Sequence, residues 1–319
     1  MSSSRRPLPD VAVRRPLLTR DLRDLGVGRR ELAGPLWQRL GHGVSGWSAL
    51  DAGDPVVRVR IVAAEQPAGT VIGGWAALHV LGVGVLDGRT GPGGESFQPV
   101  LVHVGLRGRT RTTPLLDVDR SRLDLDDVVE RAGLLVMAAT PACVSIACRY
   151  GAEEGLVAAD AAVAAGLTTR QALREHVELH PGRRGIPQAR LMAHLVDGRA
   201  ASPPESRLRY VWVVEAGLPV PLVNATVVDE GGLVAGKPDL LALEAAAVGE
   251  YDGAQHRELA AHTADNAREE GFERLNIVVA RATSIDLWPG RRRLVVRLLD
   301  AHGRGMARDV SRDRWGWRR

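Results

Sequence analysis

The chain has 319 residues, 45% of them hydrophobic and 25% charged, the make-up of a globular protein with two domains or three small ones. Its net charge is +4 with a pI near 9.6, yet Lys237 is the only lysine, so the basic charge is almost all arginine; with the abundant Ala, Gly and Val this fits a GC-rich coding bias, and a nucleic-acid partner is permitted but not demanded. No apolar run approaches the roughly 18 residues of a membrane span, Met1 to Asp10 lacks the apolar core of a secretory signal, and the expected compartment is the cytoplasm.

Residues 1–16 are polar, basic and proline-bearing, and read as a disordered arm. Thr19 is suited to cap a helix running through Leu25, and Gly26 to stop it. A second helix is expected from Arg29 to about Leu40, bent or interrupted at Gly34-Pro35, and Gly41 to Val44 reads as a turn into a strand. Helix, tight turn, helix and β-turn outline a winged helix-turn-helix over 17–83, with Arg29 and Arg30 where a recognition helix meets DNA. The plain alternative is a helical lead-in whose arginines are solvated.

Helices follow over Val56 to Ala64 and Val71 to Leu81, then a Gly/Pro-rich loop from Gly84 to Pro99. Apolar runs at Pro99 to Val104, Leu115 to Val118 and Leu134 to Met137 suit strands. Periodicity gives helices over Pro141 to Arg149, Glu153 to Ala165, Arg170 to Val177 and Ile186 to Leu195, with a stop and cap at Gly166 to Thr169. Cys143 and Cys148 have no metal-ligand spacing and read as reduced and structural. His176 and His180 are four apart, but no third ligand accompanies them and Pro181-Gly182 ends the helix.

Residues 84–196 are thus a mixed connecting region, and the polar segment from Asp197 to Pro204 is the expected main boundary. Beyond it the order is compact. A helix spans Glu205 to Ala216, with Ser202 as its cap and Gly217 as its stop. Strands follow over Leu222 to Val228, Leu233 to Leu241 and Ala247 to Tyr251. A helix spans Glu258 to Leu275, with Asn276 in its left-handed end position; then come a strand over Ile277 to Arg281 and a helix over Arg291 to His302. Residues 303–319 form a basic, tryptophan-bearing tail expected to be loose.

The carboxylates of this region carry the chemistry. If the connection between the second and third strands centres near Glu244 and Ala245, Asp239 falls opposite Glu250, and Glu250 and Asp252 share a face. Like charges facing one another destabilise a sheet, and a divalent cation removes the conflict; two carboxylates plus water offer the hard oxygens that suit magnesium. The same spacing also suits a solvated hairpin whose acids face water.

Helix, three strands, helix and strand, with Asp239 and Glu250 on the second and third strands, resembles the PD-(D/E)XK nuclease fold. Within it, Ser202-Pro203-Pro204-Glu205-Ser206, Pro238-Asp239-Leu240, Glu250-Tyr251-Asp252-Gly253 with His256, Arg268-Glu269 and Val278 to Thr283 resemble the domain related to very-short-patch-repair (Vsr) endonucleases, over about residues 202–302. Leu18-Thr19-Arg20 through Leu25 to Arg30 and on to Gly43-Val44 resembles the winged helix of AbiEi-type antitoxins. The region up to about residue 196 is similar to the part that joins two such modules in many actinobacterial proteins. The fold class so implied is mixed α/β of the α+β kind: a winged helix-turn-helix, a mixed middle region and a restriction-endonuclease-like αβββαβ core.

The resemblance implies a magnesium-dependent DNA endonuclease or nickase. Asp239 and Glu250 would hold Mg2+, with Asp252 as an outer or third ligand and Glu205 completing the cluster. His256 would serve as general acid or base, and Arg281 would meet a phosphate. Double-stranded DNA is the implied partner, and the antitoxin likeness adds a toxin. The general motif ends in a lysine where this chain has Asp252, a position that is aspartate in the related subgroup too. The alternative function is therefore an antitoxin-like transcriptional regulator with an inactive nuclease fold.

Overall fold

The computed structural model describes residues 10–105, 110–121, 123–253, 271–288 and 290–318. Its architecture is mixed α+β, with several small sheets. The chain divides into two compact units, one within Met1–Arg89 and Phe97–Ser145, the other within Thr90–Ser96 and Ile146–Arg319.

The first unit opens with α1 (Asp10–Arg14), β1 (Leu17–Leu18), α2 (Thr19–Asp24), α3 (Arg29–Leu32), β2 (Trp37–Gly41) and β3 (Val44–Trp47). The three strands form an antiparallel sheet in the order β1-β3-β2. The second helix is thus one turn long, and Trp37 to Gly41 is a strand where a helix is expected. Gly34 precedes Pro35, a position that disfavours helical backbone. Trp37 also gains more in the sheet: it pairs with Trp47, edge to face at 5.7 Å, and is buried with Leu22 and Val27. Gly26 stops α2 with φ 93°, as expected, but Thr19 does not cap it. Its hydroxyl bonds Ser45 at 3.1 Å instead.

The unit continues with α4 (Pro55–Glu65), β4 (Val71–Ile72) and α5 (Gly74–Leu81). The apolar run from Val71 is therefore a strand and then a helix, separated at Gly73. Two short strands, β5 (Arg89–Thr90) and β6 (Ser96–Phe97), pair within the glycine-rich loop. β7 (Val100–His103), β8 (Leu116–Asp119), β9 (Val128–Arg131) and β10 (Leu134–Met137) join β4 in a sheet of order β8-β7-β4-β10-β9. α6 (Ala139–Tyr150) carries the boundary between the units.

In the second unit α7 (Ala152–Ala164), α8 (Arg170–Leu179) and α9 (Ile186–Leu195) precede α10 (Pro203–Tyr210), which runs on as a π-helical turn over Val211–Glu215. Thr169 caps α8 by accepting from Ala172 N at 3.0 Å. Residues 197–204, the expected boundary, lie inside this unit. Buried Asp160 on α7 accepts from the backbone of Asp197 and Gly198, from Ser206 Oγ and from Arg209 on α10, which ties the helices together. Glu153 and Glu154 on α7 likewise hold Arg207.

The strands after α10 split between two sheets. β11 (Leu222–Val223) stays beside the core, and β12 (Thr226–Asp229) leaves it, because Asn224 turns the chain with φ 50°. β13 (Val234–Gly236) pairs with β12, and β14 (Leu240–Ala242) returns to the core after Pro238. β15 (Ala247–Asp252), α11 (described over 271–274) and β16 (Val278–Thr283) complete a sheet of order β11-β14-β15-β16. β14 runs antiparallel to β11 and β15, and β16 parallel to β15. Asn276 takes the left-handed position expected of it, φ 66°.

α12 (Ser284–Leu287) and α13 (Arg291–Met306) follow, and β17 (Trp315–Arg318) ends the described chain. The tail is therefore a strand, not a loose end. β17 pairs with β12 along four residue pairs, and Trp315 packs beside Val227 and Phe272. One face of the four-stranded sheet buries Leu240, Ala247, Ala280 and Ala282 against Leu208, Trp212, Leu294 and Leu298; the other buries Leu241 and Val248 with Phe272, Leu275 and Ile277.

Candidate functional site

β14 and β15 are joined by a short turn over 243–246, closed by a bond from Ala246 N to Leu243 O, with Ala246 at φ 43°. Leu240 pairs with Gly249, Leu241 with Val248 and Ala242 with Ala247, so the turn centres between Glu244 and Ala245, as the spacing predicts. Asp239 lies just outside β14, and the same register carried one residue further would set it opposite Glu250. Side chains alternate along strands, so Asp239, Glu250 and Asp252 belong to the face that carries Leu241 and Val248. On the other side of β15, Glu250 is in register with Arg281 and Asp252 with Thr283. The row across the sheet therefore reads Asp239, Glu250, Arg281.

Directly opposed residues sit about 5 Å apart at Cβ, so two carboxylates here share one small volume. Glu250 is 6% exposed and Asp239 half-buried. Asp239 Oδ2 accepts from Tyr251 N at 2.6 Å, a bond that fixes the direction of its carboxylate. Burial raises the Tyr251 phenol above its ordinary pKa and the Asp252 charge adds to this, against a hydrogen bond with Ser284. Arg297 donates to the Arg281 carbonyl and to Asp286, which holds the start of α12 against the end of β16.

Glu205 sits in the first turn of α10, and its oxygens are taken there. Oε1 accepts from Ser202 Oγ at 2.8 Å, and Oε2 accepts from Ala201 N at 2.7 Å and Asn224 Nδ2 at 3.0 Å. These bonds hold the segment before α10, and the Asn224 side chain, against the first turn of the helix; they do not form a capping box, because the Ser202 hydroxyl makes no cap bond to the helix. Glu205 is linked to Asp239 through Asn224, whose backbone N–H donates to the Asp239 carbonyl at 3.0 Å. Sequence reasoning missed Asn224; the available signal was an asparagine breaking the apolar run Leu222 to Val228, where a left-handed residue is favoured.

Among the described residues, no group of three or more His, Cys, Asp or Glu side chains is gathered to hold a metal. Asp239 and Glu250 thus offer a two-carboxylate, hard-oxygen site. That set fits magnesium, which keeps most of its water and commonly takes one or two protein carboxylates. His256 and Arg268-Glu269 lie outside the described residues, as does most of the expected helix Glu258 to Leu275. The His176 and His180 rings stack at 4.3 Å, and His180 Nδ1 lies 2.7 Å from the His176 carbonyl.

Arg29 and Arg30 are exposed on α3, where Glu31 closes the first turn on Gly28 N. Arg20, Arg23 and Arg39 are exposed on neighbouring elements. Compared with protein-family models, curated proteins and solved structures, the chain finds no match.

Proposed function

We propose that the chain is a magnesium-dependent DNA endonuclease or nickase of the PD-(D/E)XK class, placed on duplex DNA by its N-terminal module. The observation that carries this reading is the hairpin register from Leu240 with Gly249 to Ala242 with Ala247, which carried one residue further brings Asp239 opposite Glu250, on the face of β15 that also holds Asp252 and has Arg281 in register on β16. The order of elements supports it. With β12 and β13 set aside as an excursion into a second sheet, α10, the antiparallel strands β11, β14 and β15, α11 and a parallel β16 are compatible with the αβββαβ plan. In the first unit, the succession α1-β1-α2-α3-β2-β3 with sheet order β1-β3-β2 supports the winged helix.

In this reading Asp239 and Glu250 hold the ion, and the Tyr251 N–H keeps Asp239 aimed. The ion, when bound, supplies Lewis acidity to a phosphate and a lowered pKa to water. Arg281, in register with Glu250, is the cation on this face that meets a phosphate; Asp252 cannot supply that charge. His256 acts as general acid or base. Glu205 positions the site through Asn224. The second reading, a DNA-binding regulator of the antitoxin kind, is favoured by Asp252 at the lysine position and by a ligand set of only two described carboxylates.

The deciding experiment is cleavage of supercoiled plasmid in magnesium by wild type, Asp239→Ala and Glu250→Ala, beside duplex affinity by fluorescence anisotropy. Nicking or linearisation by wild type alone, with affinity kept in all three, supports the enzyme. No cleavage by wild type with affinity intact supports the regulator. Arg29→Ala with Arg30→Ala should weaken duplex binding in either case and reduce the salt slope by about one for each phosphate no longer neutralised. Unchanged affinity would remove the winged-helix part of the proposal.

A further inference from the structure

Among the described residues, the second unit leaves one long helix face without a partner. α13 buries Leu294, Leu298 and Ala301 against the sheet, and Gly305 lies so close to the Ala245 carbonyl that a Cβ would overlap it. The opposite face carries Val296, Leu299, Gly303 and Met306 at 3-4-3 spacing, the seam spacing of paired helices. Val296 is 61% exposed, Leu299 45% and Met306 54%, and Ile285 of α12 beside them is 67% exposed. At the N-terminal end, Ile285, Gly290, Arg292, Arg293 and Val296 line an open cleft of about 670 Å³. Among the described residues, neither Arg292 nor Arg293 has an ion-pair partner, whereas Arg297 is held by Asp286 and Arg304 lies 3.7 Å from Asp300.

We propose that this face of α13 is a docking surface for an acidic amphipathic helix of a partner protein. The apolar side of that helix would lie along Val296, Leu299 and Met306, and its carboxylates would meet Arg292 and Arg293. Charge selects this occupant. Asp300 is the one acid on the face and is already held by Arg304, so a second copy in antiparallel pairing would set Arg292 and Arg293 beside another arginine. A nucleic-acid backbone would neutralise the arginines but lay phosphates on an apolar stripe. An acidic helix satisfies both halves, and the 16 residues of α13 span roughly 24 Å, room for about four turns of a partner. This surface is independent of the acidic pair and of the nuclease reading.

The test is fluorescence anisotropy with the full chain and labelled 16-residue synthetic helices. One carries leucines at 3-4-3 spacing flanked by glutamates, one has lysines for the glutamates, and one is a scramble of the acidic peptide. The acidic peptide should bind at least tenfold more tightly than the other two. Val296→Glu with Leu299→Glu should abolish its binding, and Arg292→Gln with Arg293→Gln should weaken it at least tenfold, with circular dichroism and thermal midpoint unchanged in both variants. Three results would overturn the proposal: no preference for the acidic peptide, a wild-type dimer in sedimentation that Leu299→Glu dissociates, or loss of duplex affinity in the arginine variant with peptide binding intact.

Discussion

Two sets of acidic side chains in the second unit sit close in sequence to the same helix and sheet, yet their surroundings differ. Asp160, Glu153, Glu154 and Glu215 meet arginines: Arg209 for Asp160, and Arg207 and Arg291 for the others. Burial works against the charges of Arg207 and Arg291, but the hydrogen bonds and charges of their glutamates outweigh it and raise both pKa values. At the open end of the β14–β15 hairpin, by contrast, the register brings Asp239 opposite Glu250, with Arg281 in register on the other side of Glu250. The first arrangement joins helices. The second sets like charges together, which a fold tolerates at a cost and which a cation would relieve. The neighbour of a carboxylate, more than its type or burial, separates scaffold from candidate chemistry.

The sharpest way to break this comparison is to remove one acid from each set. Asp160→Ala would leave Arg209 buried without its anion and should destabilise the unit by about 3–5 kcal/mol, read as a fall in the urea midpoint. Glu250→Gln keeps the shape of the side chain and lowers repulsion with Asp239, so it should move the midpoint far less, while lowering magnesium-dependent cleavage by about 100-fold or more. If both variants lost stability alike, Glu250 would belong with the scaffold acids.

Glu205 sharpens the boundary between the sets. As the acceptor that ties Ala201, Ser202 and Asn224 together it should cost about 1–3 kcal/mol on substitution by alanine, with cleavage reduced no more than stability explains. A selective loss of cleavage at full stability would move it into the site.

The smallest effect is on pH dependence. Burial tends to raise Asp286, but hydrogen bonds from Arg297 and Thr283 outweigh it and hold its pKa below the ordinary carboxylate range. With the folded pKa below the unfolded one, ionised Asp286 favours the fold. That contribution is complete above about pH 4 and vanishes as pH falls through the folded value. Acid titration followed by circular dichroism should therefore show a shallower loss in Asp286→Asn than in wild type below about pH 4, with the variant less stable at neutral pH.

Much of the helical second unit was legible because its signals are local. Ile186 to Leu195 is the helix its periodicity predicts, and Gly166, Thr169 and Asn276 occupy the stop, cap and left-handed positions expected of them. The hairpin register was legible because the apolar runs around Glu244 and Ala245 are nearly symmetric. The strand Trp37 to Gly41 was not: its residues suit either state, and pairing of Trp37 with Trp47 decides. The tail from Trp315 carries no local strand signal, because its partner, β12, lies far away in sequence.

The sequence by itself determined the α+β composition, most helices and the hairpin register centred between Glu244 and Ala245, since helix stops, caps and a short hairpin depend on neighbours a few residues away. Tertiary structure decided the rest. It put Arg281 in register with Glu250 through a parallel pairing some thirty residues removed, bound Glu205 at the start of α10 to the distant Asn224, and made residues 197–204 part of a unit clamped by Asp160. Those outcomes turn on which distant groups can satisfy a buried charge or an unpaired strand edge, and a linear pattern does not carry that information.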